Sequence, residues 1–319
     1  RELAAGDDRY PPLSEVALDP APPEWVALEL SSYQLHDTPG VRPLVGALTN
    51  LSPNHLDRYE SVDAYYGDKA LLFRNAGPAS TWVTNADDAA AQQLANGIPG
   101  MHARFSVVGS ADACFDRAAD TLMLLGAPLL RRHELKLLGD HNVENALCAA
   151  LSVALAHPDH RTADAVGLLA DGLRSFRGLA HRIEVVGDIG GVLWINDSKS
   201  TNVASTRTAL RGLARPTILL LGGRHKGEPY VALADELRRT VRKVIAYGEA
   251  AEVIARDLSG VVDVEQGGTD FTDVVKRARR AAAPGDAILL SPACSSFDMF
   301  ENYERRGDAF KRLVAGGGA

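Results

Sequence analysis

Continuous apolar runs alternate with helical patterns in the second half of the chain, and this alternation constrains the fold more than any other feature. The strand-like runs are PTILLLGG, KVIAYG and DAILLSPA, and the helical stretches include YVALADELRRTV, AAEVIARDL and TDFTDVVKRARRAA. Because a strand that is buried on both faces has few polar residues, the pattern predicts a mostly parallel sheet covered by helices on both sides. A final helix is predicted from about Asp298 to Val314.

The first half of the chain predicts a second, less regular α/β domain. WVALELS and LVGALTNLS are predicted strands, whereas SVDAYYGDKALLFRNA and HNVENALCAALSVALAH are predicted helices. The pattern changes near Gly178, after which IEVVGDIGGVLWINDS predicts a hairpin that turns at Gly190 and Gly191. We therefore expect two α/β domains, one covering residues 1–178 and the other residues 179–319.

Composition excludes several classes of protein. The 319 residues carry a net charge of −7 and no polybasic run, which argues against a nucleic-acid-binding surface. Three cysteines are spaced neither as a metal-binding pair nor as a disulfide framework, as expected in a reducing cytosol. No apolar stretch approaches the roughly 20 residues of a membrane-spanning helix, and no signal peptide is recognisable. The sequence therefore predicts a cytoplasmic protein without membrane insertion.

Short polar motifs follow the predicted strands, at the position where open α/β sheets bind their ligands. Taken singly they are weak signals, since a lysine on a helix is usually solvated and an asparagine at a helix start is often only a cap. Glu29 differs, because it ends the apolar run WVALE, where an uncompensated carboxylate would be costly to bury. The residues of these motifs that could carry chemistry are Glu29, His55, Lys69, Asn142, Asn145, Arg182, Asp197, Lys199, Thr201, Lys226, Ser296 and Tyr303.

The ordered set of motifs resembles the Mur ligases. It consists of ELSSYQL, NHLDRY, LGDHNVENAL, FRGLAHRIEVV, INDSKSTN, LLLGGRHKG and LLSPACSSFDMFENYERRGDAF, and the likeness runs from about residue 12 to the end of the chain. NDSKSTN and SPACSSFDMFENYERRG are similar to the branch of the family that adds D-glutamate, and the DNPR-type motif of the diaminopimelate- or lysine-adding branch is absent from the sequence. The resemblance implies a central ATPase-type domain followed by a Rossmann-like domain that binds the incoming amino acid.

The resemblance also implies a reaction. Members of this branch use ATP and Mg²⁺ to join D-glutamate to UDP-N-acetylmuramoyl-L-alanine through an acyl phosphate. This step belongs to cytoplasmic peptidoglycan precursor synthesis, and hence to cell wall biogenesis, cell shape and cell division. A monomer is expected.

Three residues match the metal side of the family's site. By resemblance, Glu29 ligates Mg²⁺, and His55 lies beside the second metal and the substrate. Lys69 matches the lysine that is carbamylated in the family, a modification that turns an ammonium into an anionic metal ligand. An unmodified ammonium at that position would repel the metal.

Four residues match nucleotide contacts of the family. Asn142 and Asn145 resemble the residues on the adenine side. Arg182 resembles a phosphate contact, and Asp197 resembles a ribose contact. All four are therefore expected to bind ATP.

Five residues match the acyl-phosphate and D-glutamate side. Lys199 and Thr201 lie where the family reaches the acyl phosphate and the incoming glutamate, which makes Lys199 a predicted catalytic residue with His55 and Lys69. Lys226, Ser296 and Tyr303 match the glutamate pocket, where a lysine and hydroxyl donors suit a dicarboxylate. The family commonly has phenylalanine at the position of Tyr303.

Two departures from the family pattern affect what the chain is expected to do. The P-loop of the family, a GxxGTNGKST-type stretch, is absent from the sequence, as is the domain that binds UDP. Asp7, Asp8 and Arg9 stand where the family often has GGNIGxPL. We therefore expect a fragment of a longer protein that has no ligase turnover by itself.

Two alternatives stay open from the sequence. One is another Mur-type or folylpolyglutamate-type ligase, which would differ in its choice of amino acid. The other is a non-catalytic nucleotide-binding remnant, which the missing P-loop favours. The intact order of Glu29, His55, Lys69, Lys199 and Lys226 argues against the remnant.

Overall fold

The computed structural model describes residues 2–4, 13–53 and 58–316. Two compact units make up the chain. The first unit comprises residues 1–134 and 143–173, and the second comprises residues 135–142 and 174–319. Within the described ranges, no helix has both the length and the apolar character that crossing a bilayer requires.

The first unit contains a short two-stranded sheet and a six-stranded sheet. Strands β1 (Glu2–Ala4) and β2 (Ala27–Glu29) pair in parallel. The larger sheet has the order β3-β4-β5-β6-β7-β8, in which the pairings from β3 to β6 are parallel and the last two are antiparallel. Its strands are β3 (Val45–Leu48), β4 (Thr81–Asn85), β5 (Met101–Ser106), β6 (Ala113–Asp116), β7 (Thr121–Leu124) and β8 (Ala127–Arg131).

Helices of the first half begin at side chains that suit helix starts. Ser61 caps α3 (Val62–Ala70) by accepting from Ala64 N, and Asp88 caps α4 (Ala89–Ala95) by accepting from Ala91 N. The other oxygen of Asp88 accepts from Leu51 N at 2.9 Å, which ties this helix to the end of β3. The helices are α1 (Leu13–Leu18), α2 (Ser32–Asp37), α3 (Val62–Ala70), α4 (Ala89–Ala95), α5 (Asp140–Ala156) and α6 (Ala163–Ser175).

The second unit is a six-stranded sheet with the order β13-β12-β11-β14-β10-β9. All neighbouring strands are parallel except the antiparallel pair β9 and β10, which forms the predicted hairpin. The strands are β9 (Glu184–Ile189), β10 (Val192–Asn196), β11 (Thr217–Gly222), β12 (Val241–Tyr247), β13 (Val264–Gly268) and β14 (Ala287–Leu290). Strand β14 thus lies between β10 and β11, although it follows both in sequence.

Helices cover both faces of this sheet, and each face has its own buried apolar cluster. The helices are α7 (Val203–Arg211), α8 (Ala234–Thr240), α9 (Ala251–Asp257), α10 (Phe271–Ala281) and α11 (Tyr303–Ala315). The strand order brings the carboxyl ends of β10, β11 and β14 together, so the three loops that follow these strands meet at one edge.

The predicted fold class, an α/β protein with mostly parallel sheets, is confirmed. One strand of the second unit was not predicted, and one helix start was predicted wrongly. Sequence analysis assigned no element to β13, because VEQGG has only one apolar side chain, and an edge strand needs few. Helix α11 begins at Tyr303 rather than near Asp298, because Asn302 caps it by accepting from Arg305 N.

Candidate active site

The Glu29 carboxylate acts electrostatically on the Lys69 amine within the first unit, although 40 positions separate the two residues in sequence. Burial lowers the pKa of the Lys69 amine, and the nearby Glu29 carboxylate partly opposes this effect. The Lys69 Nζ also lies 6.0 Å from the centroid of the Tyr65 ring. A larger fraction of Lys69 is therefore neutral at a given pH than of a fully solvated lysine, and the neutral amine is the form that reacts with carbon dioxide.

The prediction that Glu29 ends a buried strand is wrong. Strand β2 has three residues in a two-stranded sheet, and Glu29 is exposed. Trp25 and Val26, which precede the strand, are 39% and 40% exposed. A two-stranded sheet has no second layer of its own to cover an apolar face, so the apolar composition of this run does not produce burial.

The metal ligands predicted from the family resemblance are only partly described. His55, in residues 54–57, lies outside the described residues. Asp7, Asp8 and Arg9, in residues 5–12, also lie outside them. Among the residues that the structure describes, no three histidine, cysteine, aspartate or glutamate side chains form a group that could hold a metal. Glu29 with an ammonium at Lys69 does not suit Mg²⁺, whereas Glu29 with a carbamate at Lys69 would offer the oxygen ligands that this ion prefers.

The second unit brings the predicted glutamate-side residues to one edge of its sheet. The Lys226 ammonium donates to Thr201 Oγ1 at 3.2 Å, which joins the loop after β11 to the loop after β10. The Lys199 Nζ lies 5.6 Å from the centroid of the Tyr303 ring, at the start of α11. Ser296 lies in the loop after β14 and is buried. Two ammonium groups and several hydroxyls, carried by the loops after three different strands and the start of α11, therefore lie at the same edge of this sheet.

Glycines at the end of β11 allow the loops after β11 and β14 to approach each other closely. Gly222 has a φ of +152° and Gly223 a φ of +130°, a region that side chains rarely adopt. Gly222 N donates to Pro292 O at 3.0 Å, and Arg224 N donates to Ser295 O at 2.9 Å. A Cβ atom on Gly223 would lie 2.2 Å from Ser295 O, so the loops could not keep this register with any larger residue.

The fully buried guanidinium of Arg306 donates hydrogen bonds to residues that follow β10 and β14. Its Nε donates to Ser198 Oγ and its Nη2 to Ser198 O, both at 2.9 Å, while Nη1 and Nη2 also reach Cys294 O at 3.3 and 3.2 Å. Ser198 Oγ in turn donates to Tyr303 O at 2.7 Å. All of these acceptors are neutral groups, so the guanidinium joins Ser198, after β10, to Cys294, after β14, through hydrogen bonds rather than ion pairs.

Arg182 is exposed, and a strained turn flanks it. His181 has a φ of 64° and Ile183 a φ of 47°. Ile183 N donates to Asp197 Oδ1 at 3.1 Å, and His181 N donates to Glu184 Oε2 at 2.9 Å. The carboxylates of Asp197 and Glu184 therefore fix the backbone of this turn, and the Arg182 side chain extends from it into solvent.

Asp197 is only 1% exposed, and its carboxylate joins three segments of the second unit. Besides Ile183 N, it accepts from Ser291 Oγ at 2.7 Å. Burial raises the pKa of Asp197 to about 6, and hydrogen bonds to Ser200, Ser291 and Ile183 oppose this rise. The ribose contact stays a prediction, because the structure shows this carboxylate bound to the protein's own donors.

An Asp197→Asn variant should change how the stability of the second unit depends on pH. Since the folded pKa of about 6 exceeds the unfolded value of about 3.9, this group stabilises the fold below pH 4, and the contribution is lost as pH rises to 6. The free energy of unfolding of the wild-type chain, relative to the variant, should fall by about 2–3 kcal/mol across that window. Denaturation followed by hydrogen exchange of β10 and β14 measures it, and parallel pH profiles would contradict the assignment.

Asn142 and Asn145 lie on the first turns of α5. Asn142 Nδ2 donates to Leu138 O at 2.8 Å, and Asn145 is exposed. Their spacing of three residues places them on the same side of the helix. Their predicted contact with adenine stays a prediction.

Sequence reasoning missed residues that shape the second site. Arg306 lies in a helix of alternating charge, and nothing in ENYERRGDAF distinguishes it from the exposed Arg305. The loop that carries Lys226 also rests on a buried pair, in which Tyr230 OH lies 2.8 Å from Cys294 Sγ and 3.0 Å from His225 Nδ1. Such contacts depend on the strand order, which no local pattern reveals.

Two family models match the chain. The Mur ligase middle domain matches residues 14–153, and the glutamate ligase domain of the Mur ligases matches residues 181–294. The chain belongs to the Mur ligase family. This confirms the resemblance that the motifs indicated.

Relatives of this chain with 39–41% identity belong to one branch of the family. UDP-N-acetylmuramoylalanine–D-glutamate ligase of Salinibacter ruber is 39% identical, over 98% of this chain and 68% of the relative. The enzymes of the same name from Myxococcus xanthus and Thiobacillus denitrificans are 40% and 41% identical, over 95% and 93% of this chain and 67% and 61% of each relative. The chain thus spans about two thirds of the length of these relatives.

Solved structures support the fold. MurF ligase from Thermotoga maritima in complex with ADP aligns with a TM-score of 0.66 at 16% identity, over 99% of this chain and 74% of that one. Folylpolyglutamate synthase of Mycobacterium tuberculosis, complexed with ADP and AMPPCP, aligns with a TM-score of 0.65 at 16% identity, over 94% and 70%. At such identity the likeness concerns the fold alone.

Proposed function

We propose that the chain forms the central and C-terminal parts, residues 1–178 and 179–319, of an ATP-dependent ligase. The ligase adds D-glutamate to UDP-N-acetylmuramoyl-L-alanine in the cytoplasm, as a step of peptidoglycan precursor synthesis. The convergence of Lys199, Thr201, Lys226 and Ser296 at the end of the second sheet carries the proposal, because two ammonium groups and hydroxyl donors suit an amino acid with two carboxylates. The relatives that bear this activity in their names support the choice of D-glutamate.

The proposed reaction has two steps. The alanine carboxylate of the nucleotide-linked substrate takes the γ-phosphoryl group of ATP, which gives an acyl phosphate and ADP. The amine of D-glutamate then attacks the acyl carbon, loses a proton and expels phosphate, which forms the amide. Both steps need aligned reactants and compensated phosphate charge more than they need covalent help from the protein.

The residues of the chain divide this work between them. Lys226, Thr201, Ser296 and Tyr303 hold D-glutamate, and Lys199 compensates the negative charge of the acyl phosphate. Asn142, Asn145, Arg182 and Asp197 form the proposed nucleotide side. Glu29, carbamylated Lys69 and His55 would hold Mg²⁺, which would neutralise phosphate charge. The lowered pKa of Lys69 supports the carbamate, because only the neutral amine can form it.

Turnover needs phosphate-binding backbone groups that the 319 residues do not contain as a P-loop motif. We therefore expect no ATP-dependent phosphate release from this chain with UDP-N-acetylmuramoyl-L-alanine and D-glutamate. An N-terminally extended protein that supplies the motif should release phosphate. Equal phosphate release from both would contradict this division of the work.

D-glutamate binding to the second unit is the direct test of the proposal. Millimolar D-glutamate should slow hydrogen exchange in the loops after β10, β11 and β14, and L-glutamate should not. Lys226→Ala should weaken this protection by about tenfold or more, since it removes a charge-assisted contact of about 1.5–3 kcal/mol. Lys276→Ala removes the same charge from an exposed position on α10 and serves as the matched control.

The outcomes separate the candidate functions. Protection by L-glutamate alone would favour a folylpolyglutamate-type ligase, whose fold the second unit also shares. No protection by either isomer would reject the proposed glutamate site.

A further inference from the structure

Asp68 occupies a position on α3 that is unfavourable for an acidic residue. It lies in the last turn of the helix Val62–Ala70, one residue before Lys69. A carboxylate near the C-terminus of a helix faces the negative end of the helix dipole, which costs about 0.3–1 kcal/mol at exposed sites. Other contacts must offset this local cost.

Both oxygens of Asp68 have donors from distant parts of the first unit. His36 Nδ1 lies 3.1 Å from Oδ1, and Tyr59 OH donates to Oδ2 at 2.9 Å. Although burial alone would raise the pKa of Asp68, the hydrogen bonds from His36 and Tyr59 hold it below its ordinary value. The carboxylate therefore joins two elements that are not its neighbours in sequence.

The first of these elements connects Asp68 to Glu29. His36 lies on α2, which begins three residues after Glu29. Ser31 and Gln34 form a capping box at the start of this helix, in which Ser31 Oγ accepts from Gln34 N and Gln34 Oε1 accepts from Ser31 N. Because the chain from Ser31 to His36 is a capped helix, fixing His36 also limits where Glu29 can lie.

The second element is the segment that follows His55. Tyr59 comes four residues after His55, and its ring stacks on Tyr33 of α2 with centroids 5.4 Å apart and planes 16° apart. Tyr59 also contacts Tyr65 of α3, with ring centroids 5.3 Å apart. The Tyr59 ring thus packs between α2 and α3 while its hydroxyl binds Asp68.

We propose that Asp68 is a positioning residue for the metal side of the ligase site. Together with His36 and Tyr59, it fixes the segment that carries Glu29 and the segment after His55 against the helix turn that carries Lys69. The inference rests on the proposed function, because it assigns these contacts the purpose of placing Glu29 relative to Lys69. Asp68 itself touches neither substrate nor metal and acts through its neighbours.

The relative position of Glu29 and Lys69 matters because a carbamate at Lys69 would be an anion within the electrostatic influence of the Glu29 carboxylate. The neutral amine of Lys69 attacks carbon dioxide, a new N–C bond forms, and one proton leaves to solvent. The product would carry a negative charge that repels the Glu29 carboxylate, and a divalent cation bound there would offset this repulsion. If the two segments were not held in place, Glu29 and the carbamate would hold the cation less well, and the carbamate would more readily take up a proton and lose carbon dioxide.

The test measures carbamate on this chain rather than turnover. The 319-residue protein is equilibrated with ¹³C-bicarbonate and Mg²⁺, and the carbamate carbon signal is assigned to Lys69 by its loss in Lys69→Arg. Asp68→Ala should raise the Mg²⁺ concentration needed for half-maximal carbamate by about tenfold or more, as other residues that orient metal ligands do. Asp68→Asn, which keeps one acceptor oxygen, should give an intermediate shift.

Matched variants separate positioning from general stability. His36→Ala and Tyr59→Phe should each shift the Mg²⁺ dependence, and neither should add to the effect of Asp68→Ala. Asp63→Ala removes an exposed carboxylate from the first turn of the same helix and should leave the dependence unchanged. Hydrogen exchange of α3 verifies in every case that the first unit is folded.

Each outcome decides the inference. If Asp68→Ala lowers the melting temperature but the folded protein keeps the wild-type Mg²⁺ dependence, Asp68 is structural only and the positioning role is rejected. If the wild-type chain itself shows no carbamate, the role of Lys69 fails and the positioning role fails with it. The D-glutamate test of the second unit is independent of both results.

Discussion

A Gly223→Ala variant should lose about 3 kcal/mol or more of the stability of the second unit, and with it all protection by D-glutamate. The added Cβ would lie 2.2 Å from Ser295 O, 3.0 Å from Cys294 Cβ and 3.1 Å from an Arg306 nitrogen. The φ of +130° adds strain that does not depend on these clashes. Relief requires the loop after β11 to move away from the loop after β14, and this movement separates Lys226 from Ser296.

Gly227→Ala is the matched control for this substitution. Gly227 lies in the same loop with a φ of +86°, but its Cβ would meet nothing within 4 Å. Its cost should therefore be the backbone strain alone, about 1 kcal/mol. Chemical denaturation followed by hydrogen exchange of β11 and β14 measures both variants, and equal costs would show that the close approach of the loops is unimportant.

Arg306→Met should be comparably damaging, for a different reason. Methionine can fill much of the space, but Ser198 O, Ser198 Oγ and Cys294 O would lose the donors that the guanidinium provides. A buried acceptor without a donor costs about 1–3 kcal/mol. Because removal of the cation also relieves its own desolvation, we expect a net loss of about 3 kcal/mol rather than the sum of the three.

Arg305→Met tests whether the loss of charge alone explains the effect. The Arg305 side chain is 65% exposed, and its Nε lies 3.7 Å from Glu301 Oε2, an ion pair that should contribute less than about 1 kcal/mol. The two arginines are adjacent and lose the same charge, so only burial differs. If the two variants had the same unfolding free energy and the same D-glutamate protection, the role of Arg306 beneath the loops would be refuted.

Periodicity predicted those parts of the fold that are locally encoded. The strands β11, β12 and β14 are continuous apolar runs, and the hairpin of β9 and β10 turns at two glycines with φ of 62° and 80°. These elements form wherever the chain can bury them. Strand β13 escaped prediction because its pairing with β12 rather than its own side chains makes it a strand.

The candidate site was predictable only as a set of residues. The family resemblance assigned Thr201 and Lys226 to the glutamate side, and the structure places Lys226 Nζ 3.2 Å from Thr201 Oγ1. The burial of Arg306 and the strain at His181 and Ile183 follow from the strand order and were not predictable from the sequence. For Glu29 the sequence predicted burial that the structure does not show. Apolar neighbours in sequence do not ensure that a residue is buried in the fold.

The place of β14 in the second sheet also sets the order in which this unit can fold during synthesis. β14 lies between β10 and β11 in the sheet but follows both in sequence, so neither has its partner on that side until residues 287–290 have emerged from the ribosome. β11, β12 and β13 can associate earlier, because each pairs with the next along the chain. A nascent chain that stalls before β14 would therefore hold Thr201 and Lys226 on two unconnected halves, with unpaired strand edges open to aggregation.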